Sequence, residues 1–315
     1  MIARRSFINL GLLTLMNIMA GSQFPVYKHA ADYMSDSALT FYSFSLALLL
    51  LVPLLLLERH GAHRRHQSAP VASRPPNIKA WLLLGASQLP ASVGLSWGIT
   101  HSSGSNGAII YMALPIVILI LAVPMLGERL TGIRIATLIM ALIGTFFVSR
   151  DDLIGGRFTM STLLGNIVIL SGVLGSAFYI IYSKRVLTHY TGLEVLVYSY
   201  TVSAALCALA SLILDAKPFY DVAGIPPSTW IAIAVLGGIV WGAGMVLFLW
   251  LLKRLDVAQF SISLYQQTFF GILLSALLLG ERLRLAQIVG GLMVLTATLL
   301  AESHERRLAR AMDAT

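Results

Sequence analysis

Leu126-Gly127-Glu128-Arg129-Leu130 reads LGERL, and Leu279-Gly280-Glu281-Arg282-Leu283 reads LGERL again, 153 positions later in a chain of 315 residues. Each copy separates two long apolar runs, so the phrase marks one turn in two copies of the same half. The repeat reaches further. Gly21-Ser22-Gln23-Phe24 matches Gly175-Ser176-Ala177-Phe178, and Tyr42-Ser43-Phe44 matches Tyr198-Ser199-Tyr200. Trp97 precedes Trp250 by the same 153 positions. The chain therefore divides into two repeats, residues 1–150 and 151–315.

Composition decides the solvent. The chain is 57% hydrophobic and 11% charged, with a mean hydropathy of +0.81. A soluble domain carries about 25% charged residues, so water cannot solvate this surface and a bilayer must. The net charge of +8 is no nucleic-acid footprint, because the basic residues lie between apolar runs instead of forming one patch. The single cysteine, Cys207, lies within an apolar run; it excludes an intrachain disulfide and reads as packing.

A spanning helix needs about 20 mainly apolar residues. Ten runs meet this: Phe7–Tyr27, Ala38–Leu57, Ala80–Ile99, Asn106–Leu126, Thr131–Ser149, Thr162–Tyr182, Leu193–Leu214, Thr229–Leu252, Val257–Leu279 and Leu285–Ala301. Runs of this length are helices and not alternating barrel strands, and lipid admits no third solution. The expected fold is an all-α integral membrane protein of ten transmembrane helices. With the N-terminus inside, sixteen of the 22 Lys and Arg fall on the cytoplasmic side, so both termini are expected there. Five spans per half is an odd number. The second copy must enter the membrane from the opposite face, giving two inverted five-helix repeats about a shared cavity.

Two segments have alternative readings. Arg59–Pro76, with its basic residues and Arg74-Pro75-Pro76, reads as a cytoplasmic linker. Arg4-Arg5-Ser6-Phe7 imitates a twin-arginine signal, but Gly21–Phe24 belongs to the repeat and a cleaved signal would leave its half one helix short.

The titratable residues point away from enzyme chemistry. Every carboxylate, from Asp32 and Asp36 through Glu128, Glu194 and Glu281 to Asp313, lies at or near a helix end, and none at mid-membrane, where a proton-driven pump usually keeps one, so no such proton site is expected. His101 reads as a helix-end histidine facing water. His60, His63 and His66 are spaced by three, but their basic, proline-ended loop has no cysteine partner, so no metal site is expected. No cofactor is implied.

Uncharged polar and aromatic residues within the spans are the candidate substrate contacts: Gln23, Gln88, Trp97, Tyr111, Trp241, Tyr265, Gln266 and Gln267. An amide facing lipid is costly, so these side chains should face protein or a water-filled cavity. Each serves equally as a bond between helices or as a contact for cargo. Gln266 and Gln267 stand about 100° apart on a helix, so at most one points straight into a cavity. The glycines Gly237, Gly238, Gly242 and Gly244 in the eighth span let neighbouring helices approach closely. In LGERL itself, Gly ends one helix and Glu opens the next, a structural turn with an adjacent charge pair.

Ser103–Ser149, with Asn106-Gly107-Ala108, a mid-helix Pro115, LGERL and an apolar fifth helix, resembles the end of an EamA repeat, and Asp256–Glu302 resembles a second. From Phe7 to Ala301 the chain is similar to the ten-helix carriers of the drug/metabolite transporter superfamily. That resemblance implies an exporter of the bacterial inner membrane, with helices one to four and six to nine around a central cavity. It also places Lys28 where such chains often carry a basic residue after the first helix. Two departures stand out. Thr268 takes the place of Pro115, implying a helix break in one half alone, and Gln266 and Gln267 align with Ala113 and Leu114, implying an asymmetric cavity.

The resulting expectation is a secondary carrier for a small metabolite such as an amino acid, or for an amphipathic drug, with small-molecule cargo and membrane lipid as its partners. A neutral aromatic and amide lining favours zwitterionic or apolar cargo over polyanions. The alternative is a membrane sensor or assembly factor that uses residues 59–76 as a partner or lipid surface. An intramembrane enzyme ranks last, for want of a buried acid, base or metal set. Oligomeric state is left open.

Overall fold

The computed structural model describes residues 2–30, 33–64, 77–101, 111, 113–127, 160–214, 217–255 and 257–279, with single positions within 132–143 and 285–304. The expected fifth and tenth spans fall largely outside these residues, as do the Glu-Arg pairs of both LGERL phrases and residues 65–76; the side chain of Lys28 does so too.

The described residues form helices and no strand. Helix α1 (Ile2–Gly21) and α2 (Gln23–Ala30) run in series across Ser22, whose hydroxyl bonds back to Met19 O at 2.6 Å. Helix α3 (Asp36–Arg64) keeps 29 residues together despite Pro53. At about 1.5 Å per residue such a helix is longer than the hydrocarbon core of a bilayer. It also corrects the reading of Arg59–Pro76 as one loop. Arg59 to Arg64 continue the helix, because nothing there breaks it and Arg59 finds fixed partners on a neighbouring helix.

The third span is α4 (Ile78–Leu89), a π-helical stretch Pro90–Gly94 and α5 (Leu95–His101). Pro90 has no N–H to donate, so the α-pattern cannot continue through it and the chain passes into a wider turn. Helix α6 (Leu114–Leu126) follows a turn at Ala113, so Pro115 lies in its first turn and not in mid-helix. Gly127 closes α6 with φ of 70° and an N–H bond to Val123 O, the left-handed cap the sequence predicts.

Helices α7 (Met160–Val186), α8 (Gly192–Leu214) and the short α9 (Lys217–Tyr220) come next. The eighth span is one helix, Pro227–Arg254, made of α10 (Pro227–Ala234), a π-helical stretch Val235–Gly244 and α11 (Met245–Arg254). Helix α12 (Val257–Ser263) and α13 (Tyr265–Leu279) meet at a turn on Leu264. The ninth span is thus broken without a proline, against the expectation of a one-sided break. Ser261 and Ser263 supply the cause: their hydroxyls bond back to Val257 O and Phe260 O at 2.6 and 2.7 Å, which bends helices.

Four described helices are long and apolar enough to cross a membrane: Asp36–Gly61, Ile167–Val186, Gly192–Ile213 and Pro227–Arg254. Their outer faces carry exposed leucine and isoleucine, among them Leu49 and Ile213. Helix α3 packs on α8 and on Val235–Gly244, α4 packs on α8, α5 and α6 pack on α7, and α1 packs on α13. Small residues permit the closest approaches. A Cβ at Gly175 would stand 2.6 Å from Ser87 O, and one at Gly237 would stand 2.7 Å from Ser43 O.

Candidate functional site

The centre of the packing is aromatic. Phe44 of α3 stacks on Tyr200 of α8 at 4.6 Å and 22°. Trp241 meets both rings edge-on, at 5.0 and 6.4 Å. Trp241 sits in the π-helical stretch Val235–Gly244, where the wider turn leaves carbonyls to be satisfied from outside the helix. The Tyr200 hydroxyl donates to Trp241 O at 3.2 Å and fills that need. The indole Nε1 of Trp241 is buried without a hydrogen-bond partner. The Tyr27 hydroxyl, from α2, lies beside Trp241 and Thr40 but completes no well-formed bond with either. An unmet buried donor costs roughly 1–3 kcal/mol, so two side by side mark a place where an incoming acceptor gains.

A second group lies where α13 packs on α1 and α2. Gln23, Tyr265, Gln266 and Gln267 are all buried there, and Gln266 Oε1 has no partner. Gln266 offers a carbonyl acceptor where Trp241 and Tyr27 offer donors. A third group ties α4, α7 and α8 together, with Tyr111 ahead of α6. Gln88 is buried and reaches the Tyr179 hydroxyl, which also meets Ser199 Oγ at 3.4 Å. Tyr111 OH lies 3.5 Å from Ser176 Oγ. Trp97 stands apart: it is 39% exposed and stacks on His101 at 3.8 Å. No cluster of metal-ligating side chains occurs among the described residues.

Sequence reasoning found Trp241 but missed Tyr27, Thr40, Phe44 and Tyr200, which complete its surroundings. A signal for two of them was present. Phe44 and Tyr200 hold the third place of the repeated Tyr-Ser-aromatic triplet.

Both ends of α3 are tied to other helices. At one end Tyr42 stacks with Phe219 and meets Trp230 edge-on at 5.5 Å, and its hydroxyl donates to Pro218 O at 2.8 Å. At the other, Arg59 bonds Glu194 Oε1 at 3.0 Å and Tyr198 OH at 2.8 Å. Glu194 is itself held by a capping box: Thr191 N–H donates to its carboxylate at 3.1 Å, while its own N–H donates to Thr191 Oγ1 at 3.3 Å. Trp81 lies 5.0 Å from Tyr198 and 4.8 Å from Tyr190.

A separate apolar cavity of about 590 Å³ opens between α1, α3 and Pro227–Arg254, walled by Leu12, Leu50, Leu54, Gly238 and Val246 among others. It lacks the few convergent polar groups that orient a ligand.

The sequence profile of the EamA-like transporter family matches residues 8–150 and 163–302. The chain belongs to the EamA-like transporter family. It is a membrane transporter and not an enzyme, and a multi-pass membrane protein. It is 23% identical over 308 residues to the uncharacterized transporter YyaM of Bacillus subtilis, covering 93% of each chain. It is 28% identical to a probable terminal-alkyne amino-acid exporter of Streptantibioticus cattleyicolor, over 79% of this chain and 81% of that one. A probable amino-acid metabolite efflux pump of Escherichia coli strain K12 is 26% identical over 54% of this chain and 58% of its own. A solved crystal structure, 18% identical, shares the fold with a TM-score of 0.74, covering 94% of this chain and 97% of that one.

Proposed function

We propose that this transporter is a secondary carrier of ten spans, built from two inverted five-helix repeats at residues 1–150 and 151–315, that exports a small zwitterionic metabolite such as an amino acid. The observation that carries this reading is the pairing of α3 with α8. The two helices hold equivalent places in the repeat and run antiparallel, since Arg59 at the end of α3 meets Glu194 at the start of α8. Their equivalent rings, Phe44 and Tyr200, stack on each other. Other contacts come in equivalent pairs: α1 packs on α13 as α7 packs on α6, and α3 packs on Val235–Gly244 as α8 packs on α4. An antiparallel match of equivalent helices is what reversal of one copy requires, and it supplies two bodies that rock about a shared centre.

The chemistry of that centre favours a zwitterion. Trp241 Nε1 and the Tyr27 hydroxyl suit a carboxylate, and Gln266 Oε1, in the neighbouring group on α13, suits an ammonium when the two groups serve one cargo. Gln23, Gln88, Tyr111, Tyr265 and Gln267 are buried or half-buried and complete the proposed lining, with Trp97 at its exposed margin. Two relatives, a probable terminal-alkyne amino-acid exporter and a probable amino-acid metabolite efflux pump, support the cargo class and the direction. The carrier sits in the bacterial inner membrane with both termini in the cytoplasm, because the Lys and Arg surplus lies on that side. The Arg59 end of α3 is then cytoplasmic and the Asp36 end faces outward.

Reconstitution into proteoliposomes tests the function. Flux of at least one radiolabelled neutral amino acid is expected, and Trp241→Ala should lower it about tenfold or more. Absence of flux across a panel of amino acids, nucleosides and cationic dyes overturns the reading. Single cysteines placed at Glu128 and Glu281, in a Cys207→Ser background, should label from opposite faces; labelling from one face removes the inverted repeat.

A further inference from the structure

Four carboxylates have described side chains in this structure, and three of them hold the fold together. Glu58 accepts from Thr191 Oγ1 at 3.2 Å, Glu194 pairs with Arg59, and Asp221 caps Val222–Gly224 by accepting from Gly224 N–H at 3.2 Å. Asp36 is different. It opens α3, where a carboxylate ordinarily turns back to the first N–H groups of its own helix. Here it turns outward to another span and accepts a hydrogen bond from Ser96 Oγ of α5. Ser35, in the capping position before it, has a buried hydroxyl with no partner, so neither side chain closes the helix end.

The surroundings of Asp36 lead in two directions. His101, also on α5, lies within electrostatic range of it and is exposed. Tyr27, from α2, lies within electrostatic range of Asp36 and adjoins Trp241. These two are the described titratable groups that face Asp36. The carboxyl is therefore partly buried near an exposed histidine and Tyr27 of the aromatic centre, and among the described residues its hydrogen-bond donor is a neutral hydroxyl from a different helix. Two helices, α3 and α5, define its environment. A rearrangement that moves one against the other changes which groups Asp36 faces, and with them its affinity for a proton. The π-helical stretch Pro90–Gly94 lies immediately before α5, and such stretches are frequent at functional sites.

We infer that Asp36 is the proton-binding site of the carrier: it takes up a proton from the outer side as cargo leaves, and gives it up to the cytoplasm as the emptied carrier returns. The step is a proton equilibrium, carboxylate plus proton to carboxylic acid, and the transmembrane proton gradient drives it. Ser96 positions the carboxyl. The inference rests on the carrier reading above and adds its coupling ion.

Two measurements on reconstituted full-length protein test it. The first compares counterflow of a radiolabelled neutral amino acid with accumulation driven by a pH gradient. In Asp36→Asn the ratio of gradient-driven accumulation to counterflow should fall to the wild type's gradient-free value. Gradient-driven accumulation retained in Asp36→Asn overturns the inference, and so does counterflow in the wild type with no response to a pH gradient. If Asp36→Asn fails to fold, Ser96→Ala carries the test. It should shift the pH midpoint of accumulation by about half a unit or more, because it removes the hydrogen bond to the charged form; an unmoved midpoint counts against the site.

The second measurement needs no cargo. Infrared difference spectra of the wild type between acid and alkaline pH should show a carboxyl band that Asp36→Asn removes. A band that survives in the variant, or none in the wild type, overturns proton binding at Asp36 even if no cargo is ever found. Absence of all flux with the Asp36 band intact breaks the proposed function and leaves the proton site standing.

Discussion

The two ends of α3 are built on one plan and finished differently. At each end a tyrosine of the repeated triplet meets a tryptophan from the start of a span in the other half: Tyr42 with Trp230, and Tyr198 with Trp81. At the Arg59 end the pair is locked by an ion pair and a capping box. At the Asp36 end the tyrosine has a carbonyl and two further rings, and the nearby carboxylate spends itself on a serine. The same aromatic pairing thus occurs at both ends, with a salt bridge beside it at one and a serine-bonded carboxylate beside it at the other. A charge pair closes strongly and reopens at a cost; an aromatic contact with a neutral hydrogen bond is softer. The difference suits one firm seal and one compliant one.

Substitutions at matched positions measure the difference. The largest effect is expected from Trp81→Ala. Trp81 is 5% exposed and wedged between Tyr190 and Tyr198, so its loss should lower thermal stability in detergent by about 3 kcal/mol. Trp230 is 36% exposed, and Trp230→Ala should cost about 1 kcal/mol. Equal losses at the two sites would erase the contrast.

Next in size comes Glu194→Ala, which removes the cap and the ion pair together and should cost about 2 kcal/mol. Glu194→Gln keeps the shape and should cost about half of that, and raising the salt concentration should shrink the gap between Glu194→Gln and the wild type, because Arg59 is half exposed. A gap that ignores salt would mean that the charge pair contributes little. The smallest effect belongs to Tyr42→Phe. Loss of its bond to Pro218 O should cost about 0.5–1 kcal/mol and show no salt dependence. A salt-sensitive Tyr42→Phe would mean that a charge at this end, such as Asp36 or Lys217, acts on that bond.

The breaks in the fourth and ninth spans teach a related lesson. Pro115 is visible in sequence, and Thr268 in its place suggested a continuous partner helix. The ninth span is nevertheless broken at Leu264, through two serines whose hydroxyls compete for helix carbonyls. A proline announces itself to any reader; serine back-bonding depends on a side-chain rotamer and stays silent in the letters. The same holds for Arg59, read as the start of a loop because it is charged, yet helical because Glu194 and Tyr198 receive it.

By itself the sequence determined the solvent, the helical class, the Gly127 cap and the burial of Gln23, Gln88, Gln266 and Gln267, since each follows from composition or from the cost of a polar group in lipid. Only the tertiary structure decided that Phe44 and Tyr200 meet, that Trp241 stands against both with its N–H unmet, and that Asp36 reaches Ser96. Those contacts join residues far apart in the chain. Their existence depends on how helices cross and rotate, and a pattern of apolar runs fixes the length of a helix but not its rotation.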